Sequence, residues 1–109
     1  MPAEFCLVLC TCPDAVTARA LAQALVEQHQ ATCVNILPGV TSVYPWEGRI
    51  ESAAEQLLLI KTTTLHYERL ERFIKAHHPY DIPEIIAMPI ERGSSDYLGW
   101  LRAWLGSPA

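Results

Sequence analysis

No stretch of this chain reaches about 18 uninterrupted apolar residues, and no charged-then-apolar leader opens it. The sequence therefore predicts neither a membrane span nor a signal peptide, and with them a cytoplasmic protein. Basic charge is also scarce. Eight Lys and Arg stand against twelve Asp and Glu, for a formal net charge of -4. The basic residues, among them Arg19, Arg49, Lys61, Lys75 and Arg102, are scattered, which argues against a nucleic-acid partner. Catalytic patterns are missing as well. The segment Thr11-Cys12-Pro13-Asp14, after the first apolar run, has neither the glycines nor the arginine that would cradle a phosphate. No paired carboxylates and no Ser-His-Asp order compensate, so no catalytic residue is expected. Repeats, linkers and low-complexity segments are absent too. Residues 1–109 thus read as one domain, with 50% apolar residues to fill a single core. Four cysteines in a chain without export signals read as free thiols, because a reducing compartment disfavours disulfides.

What is present in strength is a hairpin. Between Ala31 and Thr63 two long extended runs, rich in Val, Thr, Ile and Leu, meet at Tyr44-Pro45-Trp46-Glu47-Gly48-Arg49, with the turn at Glu47-Gly48. Arms of roughly 12 to 15 residues at about 3.3 Å each give on the order of 40 to 50 Å. A compact chain of this length has a radius of gyration near ~13 Å, so the tip must overhang. An overhanging ribbon that carries Tyr44, Trp46 and Ile50 is marginal in water and calls for a second copy of the chain.

The other elements fall around it. Phe5 to Cys12 reads as a short apolar strand, and Asp14 as the N-cap of a helix whose apolar face is Ala18, Leu21, Ala22 and Leu25. Pro38-Gly39 predicts a bulge or bend in the first hairpin arm. Thr64 is expected to cap a second helix, with Glu68 and Arg72, and Glu71 and Lys75, paired across one turn, until His77-His78-Pro79 stops it. Ile85 to Ile90 reads as a fourth strand, and Pro89 within it predicts an edge or an irregular end. Ser94 or Ser95 caps a last helix that turns Tyr97, Leu101, Trp104 and Leu105 inward. The βαββαβ order predicts an α+β, ferredoxin-like sandwich with a long β2–β3 hairpin and a C-terminal helix.

Thiols and imidazoles carry the chemistry. Cys6, Cys10 and Cys12 share parity on the first strand, so their side chains share a face, with Cys10 and Cys12 about 6.5 to 7 Å apart along the backbone. Soft thiolates suit Cu(I). The plainer reading, small buried hydrophobes, holds for Cys6 and Cys33 and competes at Cys10 and Cys12. His77 and His78 end a helix, where a solvated pair is the alternative to a ligand pair; His29 and His66 read as surface residues. Lys61, next to an apolar run, needs an acidic partner such as Glu84 or Glu47. Tyr44, Trp46, Glu47, Lys61, Tyr80 and Glu84 are the candidates for an interface or polar cleft, with Trp46 as an interface anchor.

The run Cys33-Val34-Asn35-Ile36-Leu37-Pro38-Gly39-Val40-Thr41-Ser42-Val43-Tyr44, then Trp46-Glu47-Gly48, Ile60-Lys61-Thr62, His78-Pro79-Tyr80, Pro83-Glu84-Ile85-Ile86 and Asp96-Tyr97-Leu98-Gly99-Trp100-Leu101, closely resembles the CutA family of divalent-cation tolerance proteins. The likeness covers nearly the whole chain. It implies a homotrimer associated with copper tolerance and copper binding, an architecture similar to the PII signalling proteins, and no catalytic reaction. Metal binding by Cys10, His77 and His78 is carried over from it, with Cys12 as an additional sulfur of this chain. A PII-like regulatory trimer that binds a small effector or partner protein at clefts between subunits is the alternative. Departures from the family's commoner residues fall at Pro45, Asp81 and Cys12.

Overall fold

A computed structural model describes residues 3–106. The outermost residues of the 1–109 span lie outside the described ones. Along the chain run β1 (Phe5–Cys12), α1 (Ala15–Glu27), β2 (Cys33–Trp46), β3 (Arg49–Thr63), α2 (Tyr67–His77), β4 (Ile86–Ile90) and α3 (Ser95–Leu105). The fold is mixed α+β. Its four strands lie in the order β2-β3-β1-β4, each neighbour antiparallel, as a split β-α-β connection requires when the hairpin strand inserts between its two ends.

Local chemistry explains the boundaries. Asp14 accepts the Thr17 N–H at 2.8 Å and opens α1, whose buried residues are Ala18, Leu21, Ala22 and Leu25. The expected cap at Thr64 is displaced. Thr64–His66 make one 3-10 turn first, Thr64 donates to the Ala3 carbonyl, and α2 begins only at Tyr67 without a side-chain cap. Glu71 and Lys75 pair at 3.5 Å, whereas Glu68 and Arg72 are not among the ion pairs of the described residues. Ser94 caps α3. β4 starts one residue later than expected and bonds to β1 alone, so Pro89 sits on an edge strand, where a missing donor costs least.

The hairpin matches its predicted reach. Its arms hold 14 and 15 residues, and the long axis of the molecule is 44 Å against 26 and 23 Å for the others. Glu47 and Gly48 make the turn with φ of 50° and 77°. At Pro38-Gly39 the register shifts between Leu37 and Val40, which is the expected bulge.

One sheet face carries the core. Cys6, Val8, Cys10, Cys12, Leu58 and Ile60 pack under Leu21 and Leu25 of α1 and Leu70 and Ile74 of α2, all buried. Each such aliphatic contributes about 1.5 to 3 kcal/mol of transfer free energy. On the opposite face Leu7, Leu9, Leu57 and Leu59 are only half-buried, and Leu37, Ile86 and Met88 are exposed. α3 covers one end of that face: Thr32 donates to the Leu101 carbonyl at 2.7 Å, and the Arg102 guanidinium lies 5.3 Å from the Phe5 ring centre. Leu101 and Leu105 point inward, but Tyr97 and Trp104 are about two-fifths exposed, contrary to the expectation of an inward face through both. Trp104 instead stacks on His29 at 4.0 Å and donates to the Val26 carbonyl.

Candidate metal centre at the end of the first strand

β1 and the end of α2 supply the site. Strand alternation turns Cys10 and Cys12 to the same face, where α1 and α2 seal both from solvent. His78 is the residue at which α2 has already unwound (φ -89°, ψ 139°), which swings its ring over the end of β1. The sulfurs of Cys10 and Cys12 and a ring nitrogen of His78 then lie within 4.8 Å of one another, and Cys12 Sγ stands 3.9 Å from His78 Nε2. Among the described residues this is the one cluster of metal-ligating groups of that size.

The two thiols are electrostatically unlike. A hydrogen bond shared with Cys12 pushes the Cys10 thiol far up, and burial and the nearby carboxylates of Glu84 and Glu55 act the same way. That bond pulls Cys12 below the usual thiol range against the opposing effect of burial.

His78 is held on both sides. The Tyr80 backbone N–H lies 3.1 Å from Nδ1, and the Thr11 carbonyl 2.8 Å from Nε2. Since a backbone N–H only donates and a carbonyl only accepts, Nδ1 is the bare nitrogen and Nε2 carries the proton. The Tyr80 ring lies tilted at 4.8 Å from the imidazole, and its hydroxyl donates to Glu55 at 2.7 Å. Burial and that bond push the Tyr80 phenol well up.

His77 does not join. Still within the helix, it stacks on Phe73 at 4.2 Å, sets Nδ1 2.7 Å from the Phe73 carbonyl and faces solvent, so the neighbouring histidines diverge and Cys12 takes the place expected for His77. Two other expectations change. His66 is buried at 2% exposure and bonded to Thr63 at 2.6 Å, because the 3-10 turn tucks it beside the end of α3. Among the described residues Lys61 has no carboxylate within ion-pair distance. Its ammonium lies 4.0 Å from Cys33 Sγ, and neither Glu84 nor Glu47 reaches it. Glu47 and Glu84 are exposed, Tyr44 and Trp46 lie 39% and 53% exposed on the hairpin, and Tyr80 alone of that group touches the cluster. Sequence reasoning overlooked Glu55, a carboxylate 8% exposed that stands between Ala54 and Gln56 on β3, where no local pattern marks it as buried.

Comparison with known proteins agrees along nearly all of the chain. The model of the CutA1 divalent ion tolerance protein family matches residues 6–104. The divalent-cation tolerance protein CutA of Thermus thermophilus is 51% identical over 96 residues, which is 88% of this chain and 93% of the relative. That of Citrobacter koseri is 44% identical over 102 residues, 94% and 89% of the two chains. Among solved structures, the divalent cation tolerance protein of Thermus thermophilus superposes with a TM-score of 0.91 at 49% identity, over 94% of this chain and 99% of that one. CutA1 from Oryza sativa gives 0.95 at 39% identity over 98% of each. Matched end to end in sequence and in backbone, the chain belongs to the CutA1 family of divalent ion tolerance proteins.

Proposed function

We propose that this chain is a cytoplasmic, homotrimeric copper-binding protein of the cation-tolerance response, with Cys10, Cys12 and His78 as the metal-holding groups and no catalytic step of its own. The observation that carries the reading is the convergence of two buried sulfurs and one imidazole within 4.8 Å. Two thiolates and a nitrogen are a donor set that favours soft Cu(I) over hard oxygen-seeking cations. Copper here is cargo rather than a resident cofactor. His77 stands outside the set, and the Cys10 and Cys12 thiols must shed their protons as the metal enters. The trimer is supported by what one chain leaves uncovered: Val43, Trp46 and Ile50 on the overhanging ribbon, each more than half exposed, and Ile86 and Met88 on the bare sheet face.

Equilibrium competition against a Cu(I) chelator, on reduced protein at fixed pH, tests the metal reading. Cys10→Ser, Cys12→Ser and His78→Ala are each expected to lose roughly ten- to a hundredfold in affinity, the range that even outer-shell changes reach, whereas His77→Ala stays near wild type. Wild-type affinity in all four transfers the function to the clefts between subunits, as in a PII-like regulatory trimer.

A further inference from the structure

We propose that Tyr80 and Glu55 are positioning residues that hold His78 away from an incoming metal, so that copper capture by the imidazole requires release of the His78-Pro79-Tyr80 turn. The inference rests on the copper-site reading and adds to it a coupling between the metal and the middle of the second hairpin arm. Both ring nitrogens of His78 are engaged before any metal arrives: Nδ1 accepts the Tyr80 N–H at 3.1 Å, and Nε2–H donates to the Thr11 carbonyl at 2.8 Å.

Ligation through Nε2 forms the metal–nitrogen bond at the expense of the bond to Thr11. The ring proton leaves Nε2 for water, and a proton from water returns to Nδ1 to keep the ring neutral. There it faces the Tyr80 N–H, donor against donor. Ligation through Nδ1 displaces the same N–H directly. Either route breaks the Tyr80 N–H to Nδ1 bond and leaves a backbone donor to find a new partner.

The turn resists that opening. Its first residue is tied into the end of α2, where the His78 N–H donates to the Ile74 carbonyl at 2.8 Å. Its second is Pro79, whose ring fixes φ. Rotation must then come from Tyr80, which is tethered by its hydroxyl to Glu55, 2.7 Å away, on β3. A hydrogen bond to a buried carboxylate is of the strong, charge-assisted kind. Capture by the two thiols alone, in the two-coordinate manner Cu(I) tolerates, leaves all of these bonds intact and is the competing outcome.

Because coupling is reciprocal, whatever opens the turn must tighten copper and copper must open the turn. Two measurements on the reduced full-length protein follow, with Cu(I) alone as the probe. Amide hydrogen exchange at Tyr80 in the wild type is expected to speed up on loading with one equivalent of Cu(I). Tyr80→Phe, which keeps the ring and removes the tether, is expected to bind Cu(I) more tightly, by up to about a hundredfold for the loss of one charge-assisted hydrogen bond. An unchanged Tyr80 amide, or a Tyr80→Phe affinity equal to or weaker than wild type, overturns the proposal. Cys10→Ser and Cys12→Ser run alongside: if they lose copper while Tyr80 stays unmoved, the positioning role fails alone, and if they keep wild-type affinity the copper site fails with it.

Discussion

The closed end of the sheet and the tip of the hairpin are built from the same strands and obey opposite rules. Where β1 pairs with β3, Val8, Cys10, Cys12, Leu58 and Ile60 are at 0% exposure. The one imidazole among them has a partner at each nitrogen. Beyond the end of β1 the hairpin continues as two strands only, and Ile50, Val43 and Trp46 reach 76%, 67% and 53%. The closed end satisfies its groups within one chain; the tip leaves its apolar groups for another. Damage at the two ends should therefore be read by different instruments.

The largest expected effect lies at the closed end. Leu58→Ala should lower unfolding free energy by about 2 to 5 kcal/mol, as truncations of fully buried leucines do. Trp46→Ala should leave the folded subunit nearly as stable yet weaken assembly, seen as a falling mass by light scattering on dilution. If Trp46→Ala instead unfolds the subunit while its mass holds, the division between the two ends is wrong.

A middle-sized effect sharpens the same division. Burial, with Arg69 nearby, holds His66 below the ordinary imidazole value. The folded chain thus prefers the uncharged ring. Its contribution is complete above the unfolded value of about 6.5 and is lost as pH falls below that toward the folded one, where the unfolded chain binds the proton that the folded chain refuses. Urea midpoints should drop between about pH 7.5 and about pH 5.5, and His66→Asn should shrink the drop. The smallest effect belongs to the surface: Asp14→Ala removes the cap of α1 and should lower Tm by on the order of a few degrees.

Features that depend on alternation and local capping were legible from the residues: the cap at Asp14, the shared face of Cys10 and Cys12, the length of the hairpin and the irregularity at Pro38-Gly39. Features that depend on where one element lands on another were not. Which of His77 and His78 turns inward is decided by the single residue at which α2 stops being helical. The burial of His66 follows from a 3-10 turn that no capping rule announces, and the outward place of Trp104 from its stacking on the exposed ring of His29. Glu55 is invisible to pattern because its partner, Tyr80, is 25 residues away.

The bulge at Pro38-Gly39 acts as a phase shifter for the ribbon. Before it, odd-numbered residues of β2 face odd-numbered residues of β3, as Leu37 faces Leu57; after it, even face odd, as Val40 faces Glu55 and Tyr44 faces Glu51. That single extra residue puts Tyr44 on the Glu55 side of the ribbon. A regular ladder over the same residues, without the bulge, would set Tyr44 opposite Ile50 and turn it to the other surface of the ribbon. What this chain offers to a neighbouring copy is thus written less in which side chains the hairpin carries than in one count of backbone units between Leu37 and Val40.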